Sequence, residues 1–238
     1  MEGELADAVD AIIKARWELR DGEVVPETKD ITLGNSGVKL DATVLYADLA
    51  DSTELALFDR EIAAEVYKAY LVGTTRLIKA AGGEIRSFDG DRVMGVFIGN
   101  YKNTSAAKAA LRINYFFTQV LQPSFQSFYQ SLQTSSFRFA QSVGIDTGEI
   151  RVARAGVRNA NDLIWVGGAP NVAAKLSSIR QSGYSTYVTE PVFKKLHDSA
   201  KLYNGQSIWE RCTWQKGEPY GAGVIYRSSW WFKPSFNP

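Results

Sequence analysis

Two aspartates stand where β-type segments end or turn, a position from which carboxylates can hold a metal ion. Asp48 lies near the end of the apolar run 44–49, and Asp91 closes the hairpin signal Asp89-Gly90-Asp91. If the run and the hairpin are neighbouring strands, the two carboxylates meet at one edge of the sheet. Hard oxygen ligands suit Mg²⁺ or Mn²⁺, which usually keep water and substrate phosphates as further ligands.

The residues directly after this strand add a place for a phosphate group. Asp51, Ser52 and Thr53 open a long helical segment, and either hydroxyl is a typical helix cap. Backbone N–H groups at a helix start attract anions. Taken alone, the Asp-Gly-Asp turn and the cap are more often purely structural. Together with Asp48 they predict a combined metal and phosphate site.

The elements that must position these residues follow from the apolar periodicity. The order strand, helix, hairpin, helix, strand predicts an α+β fold with a ferredoxin-like βαββαβ core, a mostly antiparallel sheet and flanking helices. The predicted elements are strand 44–49, helix 53–81, strands 84–88 and 92–98, helix 104–121, strands 137–146 and 149–155 joined by a turn at Thr147-Gly148, helix 170–179 and three later strands.

The N-terminal part of the chain is predicted to be an addition to this core. The apolar residues within 4–19 have the spacing of an amphipathic helix. Residues 21–40 contain the turn-forming Gly, Pro, Asp and Asn residues that are typical of a connector. We therefore expect an N-terminal helix and connector over 1–36 and a catalytic domain over 37–238. The apolar stripe of the helix packs either on its own domain or on a partner subunit.

Composition narrows the function classes. With 27 Lys and Arg against 26 Asp and Glu, no bulk electrostatic attraction to nucleic acid or to an anionic membrane is expected. One cysteine and one histidine exclude an intrachain disulfide, a cysteine metal cluster and a multi-histidine site within a chain. There is no apolar signal region or membrane-length run, so we expect a cytoplasmic protein.

Four segments resemble, in order, the motifs of class III nucleotidyl cyclases. The first two would carry the metal aspartates, which are 43 residues apart, and the last would carry a ribose-orienting Asn and a transition-state Arg. The resemblance spans residues 40–190 and implies the fold given above, two divalent cations and a symmetric homodimer with shared active sites. The segments are Tyr46–Thr53, Asp89–Phe97, Gly144–Gly148 and Gly167–Leu176.

The resemblance also implies roles for single residues. Asp48 and Asp91, with Leu49 beside the first, would bind two Mn²⁺ or Mg²⁺ ions, and Asn171 would orient the ribose. The position of the catalytic arginine holds Lys175, which acts alone or shares the task with Arg180; a lysine offers a point charge in place of a planar fork. Lys216 is the candidate for the triphosphate-binding lysine.

The base-reading positions match neither purine pattern. Adenylate and guanylate cyclases carry Lys or Glu where this chain has Ser87, and the second reading position is Ile164, which cannot accept a hydrogen bond from an adenine amine. Tyr46 and Arg86 would add bulk and donors there, which suits a pyrimidine carbonyl, although Tyr46 could equally be a core aromatic. The bound phosphates would contact Asp51, Ser52 and Thr53.

The chain also resembles the bacterial Pycsar anti-phage pyrimidine cyclases, since it is short, lacks sensor domains and carries Asp-Gly-Asp-Arg with Lys for Arg. This implies UTP as the favoured substrate, cyclic UMP as the product and a separate cyclic-nucleotide-activated effector. The alternatives are cyclic CMP from CTP, a purine nucleotide cyclase with atypical base recognition, and a non-catalytic nucleotide-binding module of the same fold.

Overall fold

The computed structural model describes residues 1–135, 137, 139–215 and 222–234 of the 238-residue chain. Short 3₁₀ turns lie at Thr28–Asp30 and Asp198–Ala200, and a π-helical turn at Phe116–Leu121. The helices are α1 Glu2–Lys14, α2 Ser52–Phe58, α3 Arg60–Ala80, α4 Lys102–Tyr115, α5 Gln122–Phe128, α6 Gln130–Thr134, α7 Gly168–Ser177 and α8 Glu190–Lys194. The strands are β1 Glu18–Asp21, β2 Ser36–Ala50, β3 Glu84–Asp89, β4 Arg92–Phe97, β5 Ala140–Val157, β6 Ala160–Val166, β7 Thr186–Thr189, β8 Leu202–Tyr203, β9 Gln206–Ser207, β10 Glu210–Gln215 and β11 Ala222–Ser228.

The predicted ferredoxin-like core is confirmed. Within the described ranges the main sheet has the strand order β10-β11-β7-β5-β2-β4-β3, with β1 added to β2 and β6 to β5. Its centre, β5-β2-β4-β3, is antiparallel throughout, and the parallel pairs are β1 with β2 and β5 with β7. Helix α3 and the α4 segment supply the two crossovers of the βαββαβ unit.

The two faces of the sheet are covered unequally, because side chains alternate along each strand. Odd-numbered apolar residues of β2, such as Leu45 and Leu49, join the large buried cluster with α3 and α4. Even-numbered ones, such as Val44, join a second cluster that includes Ala169 and Ala173 of α7. Helix α7 packs on β5 and β2 and is short, so part of this second face lies open beside it.

The two central strands are longer than predicted. Strand β2 runs from Ser36 to Ala50, and β5 runs without a break through the predicted turn at Thr147-Gly148. The two pair antiparallel from Gly37–Ala153 to Ala50–Ala140. The Thr147 hydroxyl donates to the Ala42 carbonyl at 3.1 Å, so the polar residue is satisfied within the ladder.

Two helix predictions were also wrong in detail. The segment predicted as one helix over 53–81 is divided at Asp59, whose carboxylate accepts from the backbone N–H groups of Glu61 and Ile62 and starts α3. The helix predicted over 104–121 does not end there: the chain passes through the π-helical turn into α5, with Pro123 in the first turn of α5.

The N-terminal segment is partly built into the sheet. Strand β1 pairs in parallel with the start of β2, and Ile31 is buried, so part of the predicted connector belongs to the fold. Helix α1, in contrast, buries no residue, so its stripe does not pack on its own domain. The Asn35 side chain holds its end by donating to the carbonyls of Ile12 and Ala15 at 2.6 and 2.8 Å. The division of the chain into an N-terminal helix and connector over 1–36 and a catalytic domain over 37–238 stays a prediction.

Candidate active site

Asp48 lies near the end of the central strand β2, with its side chain on the α7 face of the sheet. It is only 4% exposed, and its Oδ2 accepts from Nη2 of Arg92 at 3.1 Å and from Nη2 of Arg180 at 2.9 Å. Arg92 is directly opposite Asp48 in the antiparallel register of β2 and β4. Arg180 follows α7. A buried carboxylate is therefore held between two guanidinium groups that come from different elements.

Asp91 lies beside it, in the β3–β4 turn where Gly90 has φ +60°. Its Oδ2 is buried without a hydrogen-bond partner. Burial raises the pKa of Asp91 above its usual value, and the charge of Asp48 adds to this, whereas the Ser52 hydroxyl lowers it. A buried carboxylate oxygen without a partner, within the electrostatic influence of a second carboxylate, has the arrangement that a cation would satisfy.

The residues present therefore fit a divalent cation site. Two carboxylates and a nearby backbone carbonyl, that of Leu49, are hard oxygen donors of the kind that Mg²⁺ and Mn²⁺ take. In the ranges that the structure covers, His, Cys, Asp and Glu form no group of three or more that could hold a metal ion. The remaining ligands would have to be water and substrate phosphate.

The start of α2 differs from the expected hydroxyl cap. The N-cap position is Asp51, in the left-handed region with φ 59° and with no side-chain capping bond. The Ser52 hydroxyl is close enough to Asp91 to lower the pKa of that carboxyl, and the Ser52 carbonyl accepts from the Tyr67 hydroxyl at 2.5 Å. Ser52 thus lies beside a predicted metal ligand. Thr53 is in the first turn of the helix, and phosphate contacts for these residues stay a prediction.

A row of three side chains crosses the open part of the α7 face. The registers place Tyr46 of β2 opposite Met94 of β4, and Met94 opposite Ser87 of β3. The Tyr46 hydroxyl donates to the Met94 sulfur at 3.2 Å, and Ser87 is close enough to that hydroxyl to influence its pKa. Burial raises the pKa of Tyr46. The structure thus brings together Tyr46 and Ser87, two residues predicted to read the base.

The other two predicted base-reading residues lie elsewhere in the chain. Arg86 is the bulged residue of β3, and its guanidinium donates to the Val25 carbonyl at 3.2 Å, which ties the connector to the sheet. Ile164 is on β6 and points away from the second cluster, against which its neighbours Leu163 and Trp165 pack. Within one chain, neither Arg86 nor Ile164 therefore lies in the row of Tyr46, Met94 and Ser87, which we call the Tyr46 row.

Asn171 and Lys175 lie one turn apart on the exposed surface of α7. The opposite surface of the helix is buried on the sheet, with Ala173 and Leu176 among its core residues. Helix α7 lies close to β5 at Gly144, where an added Cβ would be 2.2 Å from the Ala173 carbonyl oxygen. Lys216 lies outside the described residues.

Comparison with known proteins identifies the family. The uridylate cyclase of Rhodovulum sp. (strain MB263) is 41% identical over 237 residues, 98% of each chain, and that of Xanthomonas perforans is 43% identical over 232 residues, 97% of each. The uridylate cyclase of Burkholderia cepacia is 39% identical over 90% of this chain and 91% of its own. This chain belongs to the uridylate cyclase family. It is a nucleotidyl cyclase enzyme. No protein-family model matches the chain.

Solved structures agree with this family at the level of the fold. The adenylyl cyclase CyaB from P. aeruginosa aligns with a TM-score of 0.65 and 20% identity, over 79% of this chain and 93% of its own. The guanylyl cyclase Cya2 aligns with a TM-score of 0.67 and 18% identity, over 83% and 96%. The resemblance to class III cyclases is thereby confirmed for the fold, and the single residue roles stay predictions.

Three side-chain contacts of this cyclase were not predicted from the sequence. Met94 was not singled out, although it forms the middle of the Tyr46 row, and Arg92 was noted only as part of the Asp-Gly-Asp-Arg motif. Strand pairing is the signal that could have found both, because residues opposite each other in an antiparallel pair share a face. The Arg180–Asp48 contact joins residues 132 positions apart and has no local signal.

Proposed function

We propose that this cyclase converts UTP to 3′,5′-cyclic UMP and pyrophosphate with the help of two divalent cations. The observation that carries the reaction type is the pair Asp48 and Asp91, with the buried Oδ2 of Asp91 left unpaired. The observation that carries the base is family membership, because the curated relatives are named uridylate cyclases. Asp48, Asp91 and the Leu49 carbonyl would hold the cations.

The reaction is an intramolecular displacement. The 3′-hydroxyl gives its proton to water, its oxygen forms a bond to the α-phosphorus, the bond from that phosphorus to the bridging oxygen breaks, and pyrophosphate leaves with the electron pair. Bound cations would lower the pKa of the 3′-hydroxyl and neutralise the triphosphate. Asn171 would hold the ribose in line for attack, and Lys175 would stabilise the charge that develops around phosphorus.

Base selection would rest on the row of Tyr46, Met94 and Ser87. The Tyr46 ring and the Met94 side chain narrow the open part of the sheet face, which favours the smaller pyrimidine ring. The hydroxyl groups of Tyr46 and Ser87 offer the polar contacts for uracil. CTP is the closest competitor, since cytosine has the same size and differs at one edge of the ring.

A homodimer with two shared sites is part of the proposal. Asp48 and Asp91 line one sheet face, whereas Asn171 and Lys175 lie on the outward surface of α7. A second subunit facing this surface would receive Asn171 and Lys175 beside its own carboxylates, and the two-fold axis would repeat the arrangement. The exposed apolar stripe of α1 would pack on the second subunit and add contact area to the dimer interface.

The decisive experiment incubates the protein with each of the four NTPs and Mn²⁺ and identifies the products by chromatography and mass spectrometry. Cyclic UMP is expected to predominate. Asp48→Asn, which keeps the shape of the side chain, is the matched inactive control. Mainly cyclic AMP or cyclic GMP would refute the pyrimidine assignment, mainly cyclic CMP would replace UTP by CTP, and no product from any NTP would favour a non-catalytic module.

Shared sites are tested by mixing two inactive variants. Asp48→Asn and Asn171→Ala homodimers should each be inactive, and after subunit exchange one of the two sites in a mixed dimer is intact. Recovered activity of up to about one quarter of wild type is therefore expected, since half of the dimers are mixed and each has one working site. Equal inactivity of mixed and unmixed samples would count against shared sites.

We also propose that the product is a second messenger of anti-phage defence, acting on a separate effector in the cytoplasm. The support is the resemblance to the Pycsar cyclases; in the described ranges no helix is long and apolar enough to cross a membrane. Cells expressing the cyclase with its effector should survive phage challenge, and cells with Asp48→Asn should not. Equal survival would remove this role and leave the chemistry untouched.

A further inference from the structure

Arg180 covers the oxygen atoms that are the proposed cation ligands at the end of β2. Its Nη2 donates to Asp48 Oδ2 at 2.9 Å and to the Leu49 carbonyl at 3.5 Å. Its Nη1 donates to the Ser177 carbonyl at 2.7 Å, which anchors the guanidinium to the end of α7. A single side chain therefore joins α7 to both donors that β2 offers.

Acidic and basic side chains meet at this site. Asp48 and Asp91 are acidic, Arg92 and Arg180 are basic, and the charge of Asp89 also acts on Arg92. Both guanidinium groups approach the same oxygen of Asp48. A divalent cation bound to that oxygen would lie within a few ångströms of Arg180, and the repulsion of like charges at such distances is strong in a partly buried site.

We propose that Arg180 competes with the divalent cation for Asp48. In the metal-free enzyme the guanidinium neutralises the buried carboxylate and occupies the Leu49 carbonyl. Cation binding displaces the guanidinium from both oxygen atoms. Arg180 is therefore a positioning residue that sets the cation affinity of the site. This inference rests on the proposed function for the identity of the competing ligand, a divalent cation, and not for the base or the product.

Arg180 has room to move, unlike Arg92. Its side chain is 35% exposed and borders a cavity of about 570 Å³, which is also lined by Asp51, Gln181 and Ser185. The guanidinium can withdraw into this space while its backbone stays in place. Arg92 lies within β4, directly opposite Asp48, and its Nε is buried. Arg180 is thus the group that yields to the cation.

The test measures Mn²⁺ binding without nucleotide, by calorimetry, for wild type, Arg180→Gln and Arg180→Lys. Removing a like charge close to the cation should lower the Kd for Mn²⁺ about tenfold in Arg180→Gln, since a neighbouring charge changes the affinity of such a site by one or more powers of ten. Arg180→Lys keeps the charge and should stay near wild type. Arg158→Gln, an exposed change in the β5–β6 turn, is the control for loss of one arginine.

Thermal unfolding separates competition from a structural role. In EDTA, Arg180→Gln should have a lower Tm than wild type, because Asp48 loses a partner; in saturating Mn²⁺ the difference should shrink or reverse. An equal loss of Tm in both conditions, or a higher Kd for Mn²⁺, would overturn the proposal. If Arg180→Gln does not fold, side-chain NMR of the wild-type arginines decides: the Arg180 Nη signals, assigned with Arg180→Lys, must change on Mg²⁺ addition.

Failure of this inference is distinguishable from failure of the proposed function. If Arg180→Gln binds Mn²⁺ more tightly and no NTP is cyclised, the competition stands and the cyclase proposal falls. If cyclic UMP forms and Arg180→Gln binds Mn²⁺ as wild type does, the reaction stands and the competition is refuted.

Discussion

Replacement of Gly144 by alanine tests whether α7 must lie as close to the sheet as it does. An alanine Cβ at this position would be 2.2 Å from the Ala173 carbonyl oxygen, 2.4 Å from the Ser177 nitrogen and 2.6 Å from the Leu176 Cβ. Ordinary contact begins at 3.4 Å, so the helix has to move out by roughly 1.2 Å. The first two atoms are backbone, and a rotamer change cannot relieve the clash.

The displacement should affect activity more than stability. Overpacking of this kind costs about 1–3 kcal/mol of unfolding free energy. For a chain of this size that corresponds to a decrease in Tm of roughly 2–12 °C. Helix α7 carries Asn171 and Lys175, and a misplacement of about 1 Å in groups that position a substrate can reduce the rate by about a hundredfold.

The assay compares Gly144→Ala with Gly148→Ala, four residues further along the same strand, where an added Cβ meets nothing within 4 Å. Initial rates of cyclic nucleotide formation and Tm are measured for both. Gly148→Ala should stay within about twofold of wild type, since surface changes away from packing cost little. A Gly144→Ala enzyme with at least half the wild-type rate would refute the reasoning, as would equal losses in the two variants.

Three further predictions concern the site and the dimer. Asp91→Asn should raise the Tm of the metal-free enzyme, because it removes a half-buried charge whose Oδ2 has no partner, and should abolish stabilisation by Mn²⁺; an unchanged Mn²⁺ effect would remove Asp91 from the cation site. The raised pKa of Asp91 means that the proton competes with the cation at higher pH than it would for a carboxylate of ordinary pKa, so the Mn²⁺ affinity of the wild type, measured by calorimetry from pH 7.5 downward, should begin to fall before the ordinary range of an aspartate is reached, and a constant affinity down to that range would contradict this. Val9→Asp and Ile13→Asp on the exposed stripe of α1 should weaken dimer formation in sedimentation without lowering Tm of the monomer, since α1 buries no residue, and an unchanged dimer would exclude α1 from the interface.

The errors in strand length have a common physical cause. Strand β2 was predicted from its apolar run alone, and the polar positions Lys39 and Asp41 concealed its first half. Strand β5 was divided because Thr147-Gly148 is a turn signal. In the fold these two stretches pair with each other, with Asp41 opposite Glu149 and Ala42 opposite Gly148. Long-range pairing outweighed the local signals, and no reading of either segment alone could have revealed it.

Side-chain contacts between distant segments were the other limit. The two aspartates were predictable because each lies in a short local pattern, a strand end and a hairpin turn. The position of Arg180 on Asp48 depends on how α7 packs at Gly144 and on how the chain turns after Ser177. Arg86 was expected near the base because it adjoins Ser87, but a bulge at this point separates the directions of the two side chains.

The orientation of Asp48 follows from the core of the protein. A shift of β2 by one residue against its neighbours would turn every side chain to the opposite face. Leu45, Ala47 and Leu49 are buried against α3 and α4, and this burial holds the register. Asp48, between two of them, must then face α7 together with Tyr46. The alternation of apolar residues that buries one face of the central strand therefore also presents a carboxylate and an aromatic ring on the same open surface. For this reason Asp48 could be predicted from the sequence, whereas its contact with Arg180 could not.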